Sequence, residues 1–389
     1  MSEFGTDCQA DNLAHDEICL NARRVLENVM DMGDRMAPRP IKSSQIVALD
    51  LMRTLAALTV FLGHVRIVFF VPWDQLAGAD HTLSARLFYA VARFGQEAVL
   101  VFFVLSGFFV GGQIIARLES GRFELRDYVI DRATRLLIPL VPACALTALV
   151  GYALTGSFVD LASLLGSAIG LNGIFVDTSF FNPPLWSIAF EIWFYVAAGA
   201  VACMFTGRAR GAALLVFIAV GYVFSILNAS FLLFWVMGAL VYKCREDLRK
   251  PGYFYFGLAL GIVAAALFEM HHAGPDVMAR DRAVYWQALV CVGFGLMIPY
   301  LASDKVGQLL QPLAKAASFM AASSYSLYVF HYPVLEAMRV FAPQIKSFGV
   351  GPFMAFIAIS AASFIVCLGF WWLFERHTDV VRNSLKKAQ

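Results

Sequence analysis

The sequence predicts an all-α, polytopic integral membrane protein with about ten transmembrane helices and both termini in the cytosol. Three observations lead to this prediction. Charged residues are scarce, apolar runs of spanning length recur along the chain, and lysine and arginine concentrate in alternate connecting segments. Together they are typical of a chain folded within a bilayer.

The composition excludes an ordinary soluble protein. Of the 389 residues, 60% are hydrophobic and only 15% are charged, whereas soluble domains have about 25% charged residues. A net charge of +2 gives no reason to expect a nucleic-acid partner. The seven cysteines show neither C-x-x-C spacing nor a histidine at ligand spacing. We therefore expect reduced, packed thiols and no metal site.

Ten apolar runs are long enough, or nearly so, to span a bilayer. Their approximate limits are 46–71, 95–116, 136–154, 184–205, 211–227, 229–243, 253–270, 284–302, 318–340 and 350–374. The fifth and sixth runs are separated only by Asn228, which predicts a tight hairpin. The apolar segment 161–174 is too short to span and is expected to be re-entrant or interfacial. Residues 1–45 and 379–389 are predicted to be cytosolic tails on either side of a membrane domain at 46–378.

The distribution of positive charge predicts the orientation. With the N-terminus inside, 22 of the 30 lysines and arginines fall in cytosolic segments and seven fall on or near the outside. The remaining one, Arg53, lies within the first run. Because cytosolic segments of membrane proteins carry an excess of Lys and Arg, this bias supports an even number of spans.

The first run contains charged and titratable side chains, which are costly inside a membrane and by default mark a functional site. They are Asp50, Arg53 and His64. Arg53 and His64 are eleven residues apart, close to three helical turns, so both are expected on one helix face. The rise between them is roughly 16 Å, about half the hydrocarbon thickness.

Glu191, in the fourth run, is predicted at a depth similar to that of His64. A histidine and a carboxylate at one level suit general-base catalysis, in which the carboxylate orients the imidazole and offsets its charge. The alternative is a buried pair with a purely structural role. We favour the catalytic interpretation because both groups are expensive to place in lipid.

Arg132 and Arg135 enter the third run from the cytosolic side and are i, i+3 neighbours on one helix face. Paired guanidinium groups suit phosphate binding, since each fork matches two phosphate oxygens. From charge alone, anchoring to anionic lipid is the favoured alternative.

Two further runs contain polar residues at membrane depth. Ser106 stands among glycines in the second run, where small residues favour close helix packing over a nucleophilic role. Tyr325 and His331 lie in the ninth run. Whether His331 lines a cavity or is a satisfied core histidine stays open at this point.

Six stretches, taken in order, carry a family resemblance. They are ALDLMRTLAALTVFLGH (48–64), VFFVLSGFFVGG (101–112), DRATRLLIP (131–139), PPLWSIAFEIWFY (183–195), SSYSLYVFHYPV (323–334) and WWLFER (371–376). The first is similar to L-D-x-x-R followed by a His eleven residues after the Arg, and the third and fourth resemble R-x-x-R with a following Pro and L-W-S-x-x-x-E-x-x-F-Y. Together they resemble the membrane-bound acyltransferase-3 family, the integral-membrane O-acyltransferases of bacterial polysaccharides and related glycans.

The resemblance implies roles for particular residues. His64 would act on the acceptor hydroxyl, and Glu191 would be the acidic residue of the fourth-helix signature. The groups associated with the acyl donor would be Arg53, Arg132 and Arg135. Within the motifs, possible cavity-lining residues are Asp50, Ser106, Trp186, Ser187, Tyr325 and His331. The chain departs from the pattern at Leu51, where the family has Gly.

The expected function is transfer of an acetyl or succinyl group to a sugar hydroxyl at the outer side of a bacterial inner membrane. The donor would be cytosolic acyl-CoA, a co-substrate rather than a bound cofactor. The expected partners are the lipid bilayer and a glycan or lipid-linked oligosaccharide acceptor. The alternative is a transporter or flippase of a lipid-linked or small anionic substrate, which also needs intramembrane His, Glu and Arg.

Overall fold

The computed structural model describes residues 42–157, 160–207, 209–272 and 280–388. Every named element in these ranges is helical, which confirms the predicted all-α class. Most of the predicted N-terminal tail, residues 1–41, lies outside the described residues. Residues Ile41–Gln389 form one compact unit.

The helices of the described ranges are numbered in chain order. They are α1 (Ser43–Phe69), α2 (Leu83–Val91), α3 (Gly95–Ser106), α4 (Gly112–Glu119), α5 (Leu125–Thr155), α6 (Leu161–Ala168), α7 (Trp186–Thr206), α8 (Arg210–Ile226), α9 (Ala229–Lys243), α10 (Pro251–His272), α11 (Arg280–Leu301), α12 (Asp304–Leu309), α13 (Ala314–Arg339), α14 (Val350–Leu373) and α15 (Thr378–Lys387). A π-helical turn, Gly107–Gly111, joins α3 to α4.

All ten predicted runs form helices, and five helical stretches in the described residues are long and apolar enough to cross a membrane. These five are Ser44–Phe69, Leu83–Glu119, Leu125–Thr155, Pro183–Thr206 and Val350–Lys387. The hairpin helices α8 and α9 have 17 and 15 residues, shorter than the about 20 residues that a bilayer needs. In α13, the polar segment 323–328 interrupts the apolar character. The count of ten spans and the cytosolic termini therefore stay predictions.

α1 packs along both α13 and α3. The π-helical turn packs closely against α9 through glycine. A Cβ atom on Gly107 would lie 1.8 Å from the carbonyl oxygen of Trp235, and one on Gly238 would lie 2.1 Å from that of Val104. These contacts explain why the second run is rich in small residues.

The segment predicted as re-entrant or interfacial, 161–174, folds as the short helix α6 followed by a turn. Two hydrogen bonds join this turn to α7 and to the residue before it. Asn172 donates its side-chain amide to the carbonyl oxygen of Leu185, and Trp193 donates its indole N–H to that of Gly170. These bonds hold the turn against α7, which carries Trp186, Ser187 and Glu191 to the walls of two cavities.

Candidate active site

Two polar cavities lie beside α1. The first, the arginine cavity, has a volume of about 400 Å³, and its polar wall consists of Asp50, Arg53, Ser106, Arg132, Arg135, Ser187, Glu191, Tyr195, Ser318, Ser324, Tyr325 and Tyr328. The second, the histidine cavity, has a volume of about 450 Å³ and its polar wall consists of His64, Arg66, Arg93, Gln96, Trp186 and Tyr328. Val99 and Tyr328 line both cavities, so the two adjoin.

Guanidinium groups from two helices meet in the arginine cavity. Arg53 of α1 lies 3.6 Å from the carboxylate of Asp50 and 5.0 Å above the Phe109 ring. Arg132 of α5 lies 5.7 Å above the Tyr195 ring, and its buried Nε has no hydrogen-bond partner in the described part of the chain. Its place on the cavity wall makes the Arg132 guanidinium group a candidate for binding an anionic ligand.

Arg135, one turn further along α5, is held by an ion pair. Its Nη1 donates to Oε1 of Glu375 at 2.6 Å. The other oxygen of this buried carboxylate accepts bonds from the backbone N–H and hydroxyl of Ser326, at 2.8 and 2.6 Å. The R-x-x-R segment is thus linked to the WWLFER segment and to α13, which are far apart in sequence.

Glu191 and Ser106 belong to one hydrogen-bonded chain on the same cavity wall. The Tyr195 hydroxyl donates to Glu191 at 2.5 Å and lies 3.4 Å from the Ser106 hydroxyl. Ser106 also accepts a bond from the Trp235 indole N–H at 3.1 Å. Among the described residues, the hydrogen-bond partners of the Ser106 hydroxyl are a tyrosine and an indole, and neither is the directly bonded histidine, lysine or carboxylate that activates a nucleophilic serine.

His64 is paired with His331 across the contact between α1 and α13. His64 Nδ1 lies 2.9 Å from His331 Nε2, and His331 Nδ1 lies 3.0 and 2.8 Å from the carbonyl oxygens of Leu327 and Tyr328. A carbonyl oxygen can only accept, so His331 Nδ1 carries the proton. With both rings neutral, His331 Nε2 then accepts from His64 Nδ1–H. His64 Nε2 is left unprotonated at the histidine cavity.

This arrangement has the form of an oriented general base. The lone pair of His64 Nε2 is fixed by a second residue that sets both the tautomer and the ring orientation, as a base in an active site requires. His331 is fully buried and its ring packs edge-on against Phe61. No group of three or more metal-ligating side chains occurs in the ranges that the structure describes.

The model of one protein family, described as an acyltransferase domain, matches residues 46–372. The chain belongs to the acyltransferase-3 family. The match covers more than four fifths of the chain and includes the residues of both cavities. No curated protein and no solved structure matches the chain. The predicted family is therefore confirmed, and the protein is a membrane acyltransferase.

Most of the site residues predicted for this acyltransferase-3 chain lie on the wall of one cavity or the other. Those in the arginine cavity are Asp50, Arg53, Ser106, Arg132, Arg135, Ser187, Glu191 and Tyr325. His64 and Trp186 line the histidine cavity. Their roles in binding and catalysis stay predictions.

The structure corrects two predicted placements. The partner of His64 is His331 rather than Glu191, whose carboxylate instead bonds to Tyr195 in the arginine cavity. The prediction pairs the two residues by depth, and depth does not determine the direction in which a side chain leaves its helix. His331, predicted as a possible cavity-lining residue, lies behind His64 and not on the wall of either cavity.

Sequence reasoning missed three residues of the acyltransferase-3 site. Tyr328 stands at the junction of the cavities, where its hydroxyl lies 2.6 Å from that of Ser187 and donates to the carbonyl oxygen of Pro184. The charge distribution assigns Arg66 and Arg93 only to the outside, although both line the histidine cavity. One signal was present for Arg66, because it follows His64 by two residues on the same helix.

Proposed function

We propose that this membrane acyltransferase transfers an acetyl or succinyl group from cytosolic acyl-CoA to a sugar hydroxyl of a polysaccharide or other glycan. In this proposal the acceptor stands at the outer side of the bacterial inner membrane. The observation that carries the proposal is that a cavity rich in guanidinium groups adjoins a cavity containing an oriented histidine base.

The arginine cavity suits the donor. CoA carries several phosphate groups, and guanidinium groups bind phosphate through paired, charge-assisted hydrogen bonds. Arg53 and Arg132 supply such donors, and Arg135, held by its ion pair with Glu375, lies on the same wall. Arg53 lies nearer the predicted cytosolic end of α1 than His64 does, which agrees with a donor that enters from the cytosol.

The histidine cavity suits the acceptor. In the proposed reaction, His64 Nε2 takes the proton of the sugar hydroxyl as its oxygen attacks the thioester carbonyl carbon. The C–S bond then breaks, and the leaving CoA thiolate receives the proton from His64. The products are the glycan ester and free CoA, and His64 returns to its starting tautomer. In this reaction the acyl group passes directly from CoA to the sugar, without first binding to Ser106, whose hydroxyl is already hydrogen-bonded.

The junction of the two cavities is where the acyl group would pass between the substrates. Tyr328 forms part of both walls and is fixed by Ser187 and the carbonyl oxygen of Pro184. The thioester would reach this point from the arginine cavity, and the hydroxyl would reach it from the histidine cavity. Holding both in place accounts for a large share of the rate increase that such a site can give.

The proposal is tested by the ester content of surface glycans. Wild-type cells, cells lacking the protein, and deletion cells that express the His64→Ala variant are compared for acetate and succinate released by mild alkali. We expect the deletion and the variant to lose the same ester, with the variant protein present in the membrane at the wild-type level. Equal ester content in all three would refute the proposal. It would favour transport of an anionic or lipid-linked substrate without consumption of acyl-CoA.

A further inference from the structure

The last helix of the chain, α15, has an apolar side and a charged side. Val381 and Leu385, four residues apart, lie on one side of the helix, with Val380 next to them. Arg382 and Lys386, also four residues apart, lie on the other side. The helix is therefore amphipathic, and the way it sits on the protein determines what its apolar side contacts.

The charged side of α15 is the side that packs on the protein. Lys386 Nζ lies 2.7 Å from Oδ1 of Asp131 in α5, and Arg382 Nε lies 3.8 Å from the same oxygen of this buried carboxylate. Arg126 of α5 donates to the carbonyl oxygen of Leu385 at 2.9 Å, near the end of α15. Charge-assisted bonds thus join the helix to α5 at two points along its length.

The apolar side of α15 is left exposed. Val380 is 65% exposed, Val381 40% and Leu385 46%, whereas the side chain of Lys386 is only 26% exposed. A helix on the surface of a protein in water has the reverse arrangement, with apolar residues against the protein and charges outward. The arrangement in α15 therefore indicates that an apolar partner covers this side.

The position of α15 along α5 indicates which partner that is. The bonds to Arg126 and Asp131 place α15 beside the first two turns of α5, which is long and apolar enough to cross a membrane. In the same two turns, Leu125 and Val129 also expose apolar side chains. A bilayer that covers these two residues of α5 extends to the level of α15.

The end of α14 indicates the same level. Trp372 and Leu373 are exposed in its last turn, and the guanidinium carbon of Arg376 lies 4.3 Å above the Trp372 ring. Tryptophan and basic side chains at the end of a spanning helix are typical of the membrane–water interface. Because α15 begins at Thr378, two residues after Arg376, it starts at this interface.

We infer that α15 is an interfacial helix that inserts Val380, Val381 and Leu385 into a phospholipid leaflet while its charged side stays bound to Asp131. Amphipathic helices with basic and apolar residues bind at the boundary of headgroups and acyl chains in this way. Because Asp131 directly precedes Arg132, the bound helix joins this leaflet to the wall of the arginine cavity.

The test measures the surroundings of single spin labels on the full chain in phosphatidylcholine vesicles. Cys8, Cys19 and Cys244 are replaced by Ser in every variant, and the four remaining cysteines are buried. A nitroxide is attached to one introduced cysteine at a time. Power saturation of its spectrum measures collisions with molecular oxygen, which concentrates in lipid, and with a nickel chelate, which stays in water.

We expect labels on Val381→Cys and Leu385→Cys to have an oxygen-to-chelate collision ratio at least several-fold higher than a label on Asn383→Cys. Asn383 is the matched control, because it is exposed on the same helix but lies away from these two residues. A label on Ile365→Cys, an exposed position within α14, gives the reference ratio for lipid.

Equal ratios at positions 381, 385 and 383 would mean that the apolar side of α15 meets water, and would overturn the inference. Few collisions with either reagent at 381 and 385 would mean that protein covers this side, and would overturn it as well. In that case, spectral broadening that disappears on dilution with unlabelled protein would identify a second copy of the chain. Narrow spectra before dilution would instead identify another segment of the same chain.

Discussion

Replacement of His331 by Phe tests whether this residue orients the base. The side chain is fully buried and does not itself line either cavity. Phe keeps an aromatic ring of similar size in contact with Phe61, but it removes the acceptor for His64 Nδ1. The carbonyl groups of Leu327 and Tyr328 lie within α13, where backbone N–H groups one turn on can still bond to them. The main chemical loss is therefore the 2.9 Å bond to His64.

The size of the effect follows from that bond. A buried donor left without its partner costs about 1–3 kcal/mol, which corresponds to a fall in kcat of about 5- to 150-fold if the cost falls on the orientation of the base. Loss of the base itself, in His64→Ala, should have a larger effect, about 10²- to 10⁴-fold. His331→Gln can place a carbonyl oxygen near the lost Nε2, so it should keep more activity than His331→Phe.

The assay measures release of CoA thiol and formation of the glycan ester by membranes with matched amounts of protein. We expect His331→Phe to lower kcat and leave the KM for acyl-CoA unchanged, since His331 is not part of the arginine cavity. Tyr332→Phe, whose ring lies 5.4 Å from that of His64, is the control and should keep wild-type kcat. Wild-type kcat in His331→Phe, or equal losses in the Phe and Gln variants, would refute the reasoning.

Three further predictions concern donor binding and stability. Arg132→Gln should raise the KM for acyl-CoA by about 10- to 150-fold, because a hydrogen bond to a charged group contributes about 1.5–3 kcal/mol. Replacement of the exposed Arg122 by Gln is the control and should leave this KM unchanged, and equal KM values in the two variants would contradict a donor site. Gly107→Ala should lower the melting temperature, because the new Cβ would lie 1.8 Å from a backbone oxygen of α9. Gly221→Ala is the control, because Gly221 has open space around it, and equal melting temperatures in the two variants would contradict the packing. Glu375→Ala should lower the melting temperature more than Glu375→Gln, which can still accept two hydrogen bonds from the neighbouring serine, and the reverse order would contradict the described role of this carboxylate.

The helical class and the grouping of the three arginines could be predicted from local sequence. Apolar runs determine where helices form, and charged residues inside them are so costly in lipid that they are expected to face a polar site. Arg53, Arg132 and Arg135 accordingly share one cavity. The number of spans is harder to predict, because α8 and α9 are shorter than the thickness of a bilayer requires and α13 is more polar than an ordinary spanning helix.

The partner of His64 could not be predicted in the same way. His331 is 267 residues away, and its pairing depends on how α1 and α13 are rotated about their own axes. Glu191 has a predicted depth similar to that of His64, but its carboxylate bonds to Tyr195. The position of Arg66 could not be predicted either, because an arginine near the end of a spanning helix is equally typical of an interfacial anchor. Only the packing of α1 against α3 places it on the wall of a cavity.

The most direct test of the central claim is acyl transfer from labelled acetyl-CoA and succinyl-CoA to the glycan fraction of membrane vesicles that contain wild-type or His64→Ala protein at equal levels. The account predicts alkali-labile label in the glycan with the wild-type protein, and a loss of about 10²- to 10⁴-fold in the rate with the variant. Full transfer by His64→Ala, with wild-type dependence on acyl-CoA, would contradict it.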